Sequence, residues 1–491
     1  MTHTLSKSSY VKGCQCPKAL WLHKHRRDLI PPVPPAQQAV FDTGHAVGML
    51  ARQLFPGGVD LSPASPRDFG PSIEATRQAI ADGAPVIYEA AFVHEGVLAA
   101  LDILVKDRDG WKAYEVKSST GVKDYHLTDA ALQSWVIEGN GLSLADVSIV
   151  HLNNQYERQG ELDVQRLFTV ASVKMRMAAE RMAVPQRVAG LKHTFQLPHA
   201  PETGIGPHCS APFPCDLMHH CWAHVPEGSV FELAYARGRD WDLYRRGIVR
   251  LADIPADEPL TTTQQWQVRA IKHGESQVDK IALRTWLTGL RYPLHHLDFE
   301  TFNPAIPPFD RTRPYQQLPF QYSIHVQHAR GAAPEHREHL ADGHGDPRAE
   351  LVRRLLDDIG PEGDILAYNA GFERMVLQDL SLVFPEHAPA LQGIIGRIKD
   401  LRSPFQWGWY VVPAMNGRTS IKVVLPALVP SLGYADLEIQ EGGTASGLFQ
   451  QVVEGRYAGD QARLRHDLLA YCGRDTYAMV KVLGVVEGVV E

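Results

Sequence analysis

The order of apolar and polar positions predicts strands in both halves of the chain, with helices between them. Apolar runs at 97–105 and 111–117, joined by a turn at 107–110, predict two neighbouring strands, and a helix is predicted over about 128–138. Residues 226–290 have a helical pattern. The C-terminal pattern then predicts strands at 294–299, 320–327 and 364–368, and helices at 347–359 and about 461–483. Strands that alternate with helices indicate an α/β protein.

Length and composition are those of a globular chain. The sequence has 491 residues, of which 44% are hydrophobic and 21% charged, so we expect two or three domains. It has neither an apolar run of the roughly 18 residues that a membrane helix needs nor the apolar segment of a signal peptide. We therefore expect a cytoplasmic protein with no membrane partner. The net charge of −7 excludes a protein covered with basic charge, but it is compatible with a local basic groove.

A first group of charged residues lies on the two predicted strands of the N-terminal half. Asp102 lies on one strand, while Glu115 and Lys117 lie two residues apart on the next and therefore share a face. Two carboxylates can hold Mg²⁺ or Mn²⁺, and a neighbouring lysine can orient or deprotonate an attacking water. Gln133 follows Asp129 by four residues, so both lie on one face of the next helix. An exposed hairpin edge with mixed charges is the alternative interpretation.

This segment resembles the PD-(D/E)XK nucleases of the RecB type. The matching residues are Gly96, Asp102, Glu115, Lys117 and Gln133. The resemblance implies that the two acids bind the metal, that the lysine activates water and that the glutamine belongs to the catalytic group. It also implies a third metal ligand, His45, on an upstream helix. Ile137 stands where the family usually has a tyrosine, so the expectation that this helix contacts nucleic acid is weaker than the expectation of metal binding.

Three cysteines follow the predicted nuclease core. Cys209, Cys215 and Cys221 have five residues between neighbours. Three thiolates need a fourth ligand to complete a tetrahedral metal site or an iron–sulfur cluster. Structural zinc sites more commonly have pairs of cysteines two to four residues apart. Zinc stays open as an alternative because histidines lie nearby, and these are His208, His219 and His220.

The RecB-type nucleases that carry an iron–sulfur cluster have one N-terminal cysteine and three after the nuclease core, which is the arrangement of this chain. Their C-P-[KR]-x-x-W motif is similar to the segment from Cys16 to Trp21, so Cys16 is preferred to Cys14. The resemblance implies a structural [4Fe–4S] cluster. Its ligands would be Cys16, Cys209, Cys215 and Cys221.

A second group of acids lies in the C-terminal 200 residues. Asp298 and Glu300 are two residues apart near the end of a predicted strand, so they share a face. Glu373 follows a strand that runs into a helix, and Tyr471 and Asp475 share a face of the last helix. Four carboxylates at one point repel one another unless cations lie between them. Two divalent ions would meet that need and would stabilise both oxygens of a phosphodiester displacement.

The D-x-E strand, the N-x-x-F-[DE] element and the Y-x-x-x-D helix, in this order, resemble the DEDD exonucleases of the DnaQ type. The resemblance implies an RNase H-like fold and 3′→5′ exonuclease activity with Mg²⁺ or Mn²⁺. The metal ligands would be Asp298, Glu300, Glu373 and Asp475, and Tyr471 would position the attacking water. The family commonly has aspartate where this chain has Glu373, which is one methylene longer. Asp400 is a secondary candidate at a predicted strand end.

Several basic and aromatic side chains are candidates for nucleic-acid contact. Arg26 and Arg27 belong to a basic cluster after the first cysteines, and Arg418 and Lys422 lie between the second and third acidic motifs. The proline-rich segment 302–322 carries aromatic and arginine side chains that can stack on single-stranded bases. A solvated helix face and ordinary packing are the alternatives.

Together, the two resemblances predict three parts. Residues 1–225 form a RecB-like PD-(D/E)XK domain with an iron–sulfur cluster, 226–290 a helical connector and 291–491 a DnaQ-like exonuclease domain. The combination resembles a family of bacterial proteins and implies a metal-dependent nuclease acting on single-stranded DNA or DNA ends, in repair, processing or defence, with a helicase as partner. One alternative is a nucleic-acid-binding subunit with silent sites that hands single strands to a helicase. Another is a nuclease that cuts RNA.

Overall fold

Residues 5–65 and 68–491 are described by a computed structural model. The chain divides into two units that both combine helices with sheets, which confirms the predicted α/β class. The N-terminal unit is the chain up to His224 together with Pro304–Gln316. The C-terminal unit is Val225–Asn303 together with Gln317–Glu491, so the predicted connector belongs to it.

A mixed sheet with helices around it forms the N-terminal unit. Its elements are, in chain order, β1 (Leu5–Ser6), α1 (Lys7–Gln15), α2 (Pro17–His25), α3 (Pro35–Ala51), β2 (Val59–Asp60), α4 (Gly70–Ala81), β3 (Val86–His94), β4 (Val97–Asp107), β5 (Gly110–Lys117), α5 (Asp124–Glu138), β6 (Leu144–Leu152), α6 (Val164–Leu167), β7 (Phe168–Ser172), α7 (Ala178–Thr194) and α8 (Met218–Cys221).

The strand order β2-β3-β4-β5-β6-β7 places the charged strand β5 inside the sheet. β3, β4 and β5 are antiparallel neighbours, whereas β5 and β6 are parallel and are connected through α5. Trp111 and Ala113 of β5 pack in the same apolar core as α5 and α7. Because side chains alternate along a strand, Glu115 points to that same face and is buried. The sheet and α5 therefore hold the first charged group between them.

A segment from the C-terminal part of the sequence belongs to the N-terminal unit. Ala305 buries its side chain in a cluster around the outer face of the sheet, with Ile306 and Tyr315 packed against it. The guanidinium of Arg158 donates to the carbonyls of Pro307 and Pro308 at 3.0 and 2.9 Å. The Tyr315 hydroxyl donates to the carbonyl of Ser118, directly after β5, at 2.7 Å. We call Pro304–Gln316 the inserted segment.

The C-terminal unit contains a second sheet, a two-stranded ribbon and a long last helix. Its elements are α9 (Arg239–Arg245), α10 (Thr262–His273), β8 (Gln277–Val278), α11 (Lys280–Thr288), β9 (Leu294–Phe302), β10 (Leu318–Gln327), β11 (Glu335–Leu340), α12 (Arg348–Asp358), β12 (Asp364–Ala367), α13 (Gly371–Val383), α14 (Ala388–Arg397), β13 (Ile398–Asp400), α15 (Ser403–Gln406), β14 (Tyr410–Val411), α16 (Ile421–Leu428), α17 (Gly442–Val453) and α18 (Gln461–Val490).

The five-stranded sheet has the order β11-β10-β9-β12-β13, with β9 in the centre. β9 is antiparallel to β10 and parallel to β12. Within β9, only residues 294–296 pair with β12, so the later part of β9 extends beyond the end of β12. Carboxyl ends of parallel strands commonly border the ligand crevice in α/β sheets. The second acidic group begins on this extension.

The predicted strands correspond to β4, β5, β9, β10 and β12, and several boundaries differ. β9 continues to Phe302 because pairing with β10 continues to Leu318, with an irregularity near Pro319. α5 begins four residues before the predicted start, and α18 continues to Val490. In the described ranges, no helix is both long enough and apolar enough to cross a membrane.

Replacement of Arg158 by alanine is expected to loosen the inserted segment. The change removes the donors to two proline carbonyls, and leaving such acceptors without partners costs about 1–3 kcal/mol. Trypsin should then cut after Arg311 roughly tenfold faster, which mass spectrometry of timed digests would measure. Arg108→Ala, on the exposed turn after β4, is the control. Equal cutting rates in all three proteins would contradict this account of the segment.

Candidate functional site

The four acids predicted for the C-terminal site come from three elements. Asp298 and Glu300 lie on β9, Glu373 on the first turn of α13 and Asp475 on α18. The last three are buried, with at most 8% of each residue exposed. Ligand atoms of Asp298, Glu300 and Cys472 lie within 4.8 Å of one another. The C-terminal unit thus contains a group of side chains that can hold a metal ion.

These acids repel one another in a buried setting. Burial, followed by the charges of the other three acids, raises the pKa of Asp298 well above its usual range. Burial and Asp475 raise the pKa of Glu300, against the opposing effect of Lys422. Burial is also the main reason why the pKa of Glu373 rises to about 8 and that of Asp475 to about 6. The surrounding protein therefore leaves most of this negative charge without compensation.

Two tyrosines and a lysine border the acids. The Tyr434 hydroxyl donates to Asp475 at 2.5 Å. The ammonium of Lys422 lies 5.5 Å from the ring centre of Tyr434 and 5.1 Å from that of Tyr471. Burial, together with the nearby acids, raises the pKa of Tyr471. Its hydroxyl thus stays protonated, which suits the predicted role of positioning a water rather than deprotonating it. Sequence reasoning placed Lys422 near the substrate but missed Tyr434, whose loop position has no motif.

The residues present fit a hard divalent cation such as Mg²⁺ or Mn²⁺. The donor set is rich in carboxylate oxygen, which these ions prefer. One oxygen of Glu373 is buried without a hydrogen-bond partner among the described residues, although buried polar atoms are normally satisfied. Asp400, the secondary candidate, raises the pKa of Glu373. Its own carboxylate accepts from the backbone amides of Asn369 and Arg402 at 3.0 and 2.9 Å, so it also shapes the loop after β12.

The first charged group comes together in the N-terminal unit. One oxygen of Glu115 accepts from Lys117 at 2.7 Å, and the other accepts from Gln133 at 2.8 Å. Lys117 also donates to Asp129 of α5 at 2.6 Å. Asp102 on β4 accepts at 2.6 Å from the backbone amide that follows Glu115. The two strands and α5 therefore converge as the sequence spacing predicts.

Charges in this group are nearly balanced. Burial would raise the pKa of Glu115, but Lys117 and Lys7 outweigh burial and lower it. Burial and Glu115 raise the pKa of Asp102. Burial would lower the pKa of Lys117, but Asp129 and Glu115 raise it. Lys117 is thus an ammonium in this arrangement, and of the two predicted roles, the geometry favours orienting a water over deprotonating it.

Two residues of the N-terminal group, Lys7 and Glu89, were not predicted from the sequence. Lys7, the first residue of α1, donates to Glu115 at 2.8 Å across a separation of 108 residues, which no local pattern reveals. Glu89 lies on β3 where the pairing with β4 is interrupted opposite Asp102. Its φ of 55° is unusual for a residue with a side chain and costs of order 1–3 kcal/mol. A positive φ within a strand is typical of a functional position, but it cannot be recognised before the structure is known.

His45 and Ile137 occupy different settings. His45 lies on α3 and is exposed, and no hydrogen bond or ion pair joins it to the acids in the part of the chain that the structure describes. Its role as a third ligand stays a prediction. Ile137 is fully buried in the core shared with α7, so this position on α5 serves packing.

The four cysteines predicted to act together line one pocket of the N-terminal unit, which Lys18 and His208 also border. Cys16 is the N-cap residue of α2, and its sulfur accepts from the amide of Ala19 at 3.4 Å. Cys14 is exposed and lies outside the residues that line this pocket. Of the two neighbouring N-terminal cysteines, Cys16 thus borders the pocket and Cys14 does not, and the role of Cys16 as a ligand stays a prediction.

Ion pairs tie the segments that carry these cysteines. Asp216, next to Cys215, accepts from Lys12 of α1 at 2.9 Å, and a hydrogen bond of 2.9 Å joins it to His23 of α2. Burial would raise the pKa of Asp216, but His23 and Lys12 lower it. Cys209 is buried. Burial is the main reason why the pKa of Cys221 is raised, and the nearby thiols of Cys16 and Cys209 raise it further.

The candidate nucleic-acid contacts differ in accessibility. Arg26, which pairs with the neighbouring Asp28, is exposed, as are Arg27 and Arg418. Phe320 and Tyr322 are completely buried in β10. The interpretation that these two aromatic residues stack on bases is therefore wrong, because pairing on both sides of β10 and stacking of Phe320 on Phe449 place them in the core.

Comparison with known proteins adds little about activity. Residues 295–420 match the model of a domain of unknown function, DUF2779. This range includes Asp298, Glu300 and Glu373 but ends before Tyr471 and Asp475. The chain is also similar to the Uncharacterized protein UU173 of Ureaplasma parvum serovar 3, with 27% identity over 213 residues. That match covers 38% of this chain and only 30% of the relative.

The pKa of Glu373 predicts a pH-dependent stability of the metal-free protein. An acid whose pKa is higher in the folded state favours folding at low pH, and this contribution is lost as pH rises from about 4.5 to about 8. Glu373→Gln should therefore stabilise the protein in EDTA by about 1–3 kcal/mol at pH 8.5 and by little at pH 4. Thermal melting at both pH values measures the difference.

Added Mg²⁺ should raise the melting temperature of the wild type more than that of Glu373→Gln, since the variant lacks one anionic oxygen ligand. Glu386→Gln, an exposed glutamate in the turn after α13, should behave like the wild type. The same stability difference at both pH values would show that the raised pKa of Glu373 is not its cause.

Proposed function

We propose that the C-terminal unit is a metal-dependent 3′→5′ exonuclease acting on DNA. The observation that carries the proposal is the convergence of buried acids, of which Glu373 keeps an oxygen without a partner and all four have raised pKa values. The order of the acidic motifs and the tyrosine on α18 support it through their similarity to the DnaQ-type exonucleases. A site meant only for stability would pair these carboxylates with arginine or lysine.

In this proposal the acids on β9, α13 and α18 would hold two divalent cations. These ions would supply Lewis-acid stabilisation of the attacking and leaving oxygens. The protonated hydroxyl of Tyr471 orients the water that attacks the terminal phosphodiester. The bond from phosphorus to the 3′ oxygen breaks, so a nucleoside 5′-monophosphate leaves and the shortened strand regains a 3′ hydroxyl. Lys422, whose ammonium lies 5.1 Å from the ring centre of Tyr471, would contact the scissile phosphate.

We also propose a second nuclease site of the RecB type in the N-terminal unit. Asp102 and Glu115 would hold the metal, with His45 as the predicted third ligand. Lys117 would orient the attacking water, and Gln133 would fix the glutamate through its hydrogen bond of 2.8 Å. The two strands hold their side chains rigidly, which a hydrolytic site requires.

For the four cysteines we propose a structural [4Fe–4S] cluster. They line one pocket, and they come from both ends of the N-terminal unit's sequence. No three of these described sulfurs lie within 4.8 Å of one another. Four thiolates on one zinc ion at 2.3 Å would be about 3.8 Å apart, whereas a cubane binds each thiolate to a different iron. The wider spacing is compatible with a cluster, and zinc stays the alternative.

Two other functions have support in particular residues. Ile137 and Glu373 depart from the family patterns, which favours a subunit that binds single-stranded DNA without cutting it and delivers it to a helicase. DNA binding that survives chelation, with no cleavage in Mg²⁺ or Mn²⁺, would identify this case. DnaQ-type sites also cut RNA, so competition between matched RNA and DNA oligonucleotides decides the substrate.

The first test uses single-stranded DNA labelled at its 5′ end and anaerobically purified protein with Mg²⁺ or Mn²⁺. The wild type should produce a ladder that shortens from the 3′ end. Asp298→Ala should reduce this ladder at least about a hundredfold, since it removes a ligand that interacts with charge in the transition state. Lys117→Ala should leave the ladder intact and remove only the cuts made by the N-terminal site.

Asp357→Ala, an exposed change on α12, is the control for the C-terminal substitution. If one substitution, either Asp298→Ala or Lys117→Ala, abolished all cleavage, the proposal of two sites would fail. If no protein cut DNA or RNA, the binding-subunit function would replace it.

The second test compares neighbouring cysteines. Anaerobically purified wild type should contain about four iron atoms and four sulfide ions per chain and absorb visible light. Cys16→Ser should lose this absorption and part of its iron, whereas Cys14→Ser should keep both, because only Cys16 lines the pocket. Elemental analysis measures iron and zinc together. One zinc and no iron in the wild type would show that the cysteines bind zinc instead.

A further inference from the structure

We infer that Lys7 is a second cationic residue of the N-terminal site and that its ammonium binds the scissile phosphate. The inference rests on the proposed nuclease function of that site, and it assigns different tasks to two lysines. Lys117 would orient water, while Lys7 would hold the substrate's phosphate.

Contacts place Lys7 inside the charged group. Its Nζ lies 2.8 Å from one oxygen of Glu115 and 3.8 Å from an oxygen of Asp129. Lys117 meets the same two acids at 2.7 and 2.6 Å. Both ammonium groups therefore lie on the same side of Glu115, where a metal ion and a phosphate would also approach.

The two lysines are held to different degrees. Lys117 makes two short ion pairs, whereas Lys7 makes one short pair and one longer contact. An ammonium with one short carboxylate contact can exchange it for a phosphate oxygen at lower cost. This difference assigns the phosphate to Lys7.

The position of Lys7 in its helix also suggests a function. It is the first residue of α1, directly after the N-cap Ser6, whose hydroxyl accepts from the amide of Ser9. Leu5 pairs with Val97 at the start of β4, so the chain is fixed on both sides of Lys7. A cation at a helix N-terminus is unfavourable because it opposes the positive end of the helix dipole. The position of Lys7 therefore serves its contacts with Glu115 and Asp129 rather than helix stability, and it fixes the ammonium beside the charged group.

The first test measures Mn²⁺ binding by electron paramagnetic resonance in an Asp298→Ala background, which weakens the C-terminal metal site. Lys7→Ala should bind Mn²⁺ at the N-terminal site about three- to tenfold more tightly, because a cation that competes for Glu115 is removed. Lys7→Arg should resemble the parent. Lys112→Ala, which removes an exposed lysine on the same strand as Glu115, should also leave the affinity unchanged.

The second test measures binding of a short fluorescein-labelled single-stranded DNA to the same variants in Ca²⁺ at several salt concentrations. Loss of one phosphate contact should lower the slope of log affinity against log salt by about 0.7. Lys7→Ala should show this decrease, and Lys7→Arg should restore the slope. A lysine with a purely structural role would leave the slope unchanged.

Kinetics separate the two lysines. With Mg²⁺, Lys7→Ala should raise KM for the N-terminal cuts about tenfold with kcat nearly constant, whereas Lys117→Ala should lower kcat. An unchanged salt slope in Lys7→Ala, or a failure of Lys7→Arg to restore it, would overturn the inference. If the parent bound Mn²⁺ and DNA but did not cut, the nuclease proposal for this site would fail, while the salt slope would still decide the role of Lys7.

Discussion

The arrangement of the C-terminal unit depends on one constraint. It must keep several carboxylates buried close together although nearby cations do not fully compensate their charge. Four acids on β9, α13 and α18 are brought to one place, and the nearby cations Lys422, Arg374 and Arg474 offset their burial and repulsion only in part. Such a group can persist only on a rigid frame, because the free energy of each acid would fall if the acid moved into water. The completely buried strands β10 and β12 on either side of β9 and the thirty-residue helix α18 provide that frame.

The N-terminal unit meets the same constraint in another way. There, two lysines and a glutamine surround Glu115, so that the group is almost balanced without a metal. Since one of these lysines comes from α1, the arrangement depends on the first residues of the described chain. α1 ends next to Cys16, and its Lys12 pairs with Asp216 beside Cys215. The charged group and the cysteine pocket thus lie at opposite ends of the short helix α1.

Sequence patterns predict the parts of both groups that depend on local geometry. Alternation along a strand places Glu115 with Lys117 and Asp298 with Glu300, and the helical repeat places Tyr471 with Asp475. Contacts between distant segments have no such signature, which is why Lys7 and Tyr434 could not be predicted. The sequence pattern also does not reveal which strands will flank a given strand in the sheet. Phe320 and Tyr322 look available for stacking in a proline-rich stretch, but pairing on both sides of β10 buries them.

The inserted segment limits where this chain can be cut into fragments or recombined with a homologue. The polypeptide leaves the N-terminal unit after His224, returns at Pro304 and leaves again after Gln316. A gene fragment that stopped at residue 224 would lack Ala305 and Tyr315 from its core, and the complementary fragment would carry those side chains without their binding face. The two units are therefore interlaced in sequence rather than joined end to end. Recombination that exchanged one for a homologue would have to preserve the loop between β9 and β10 as well.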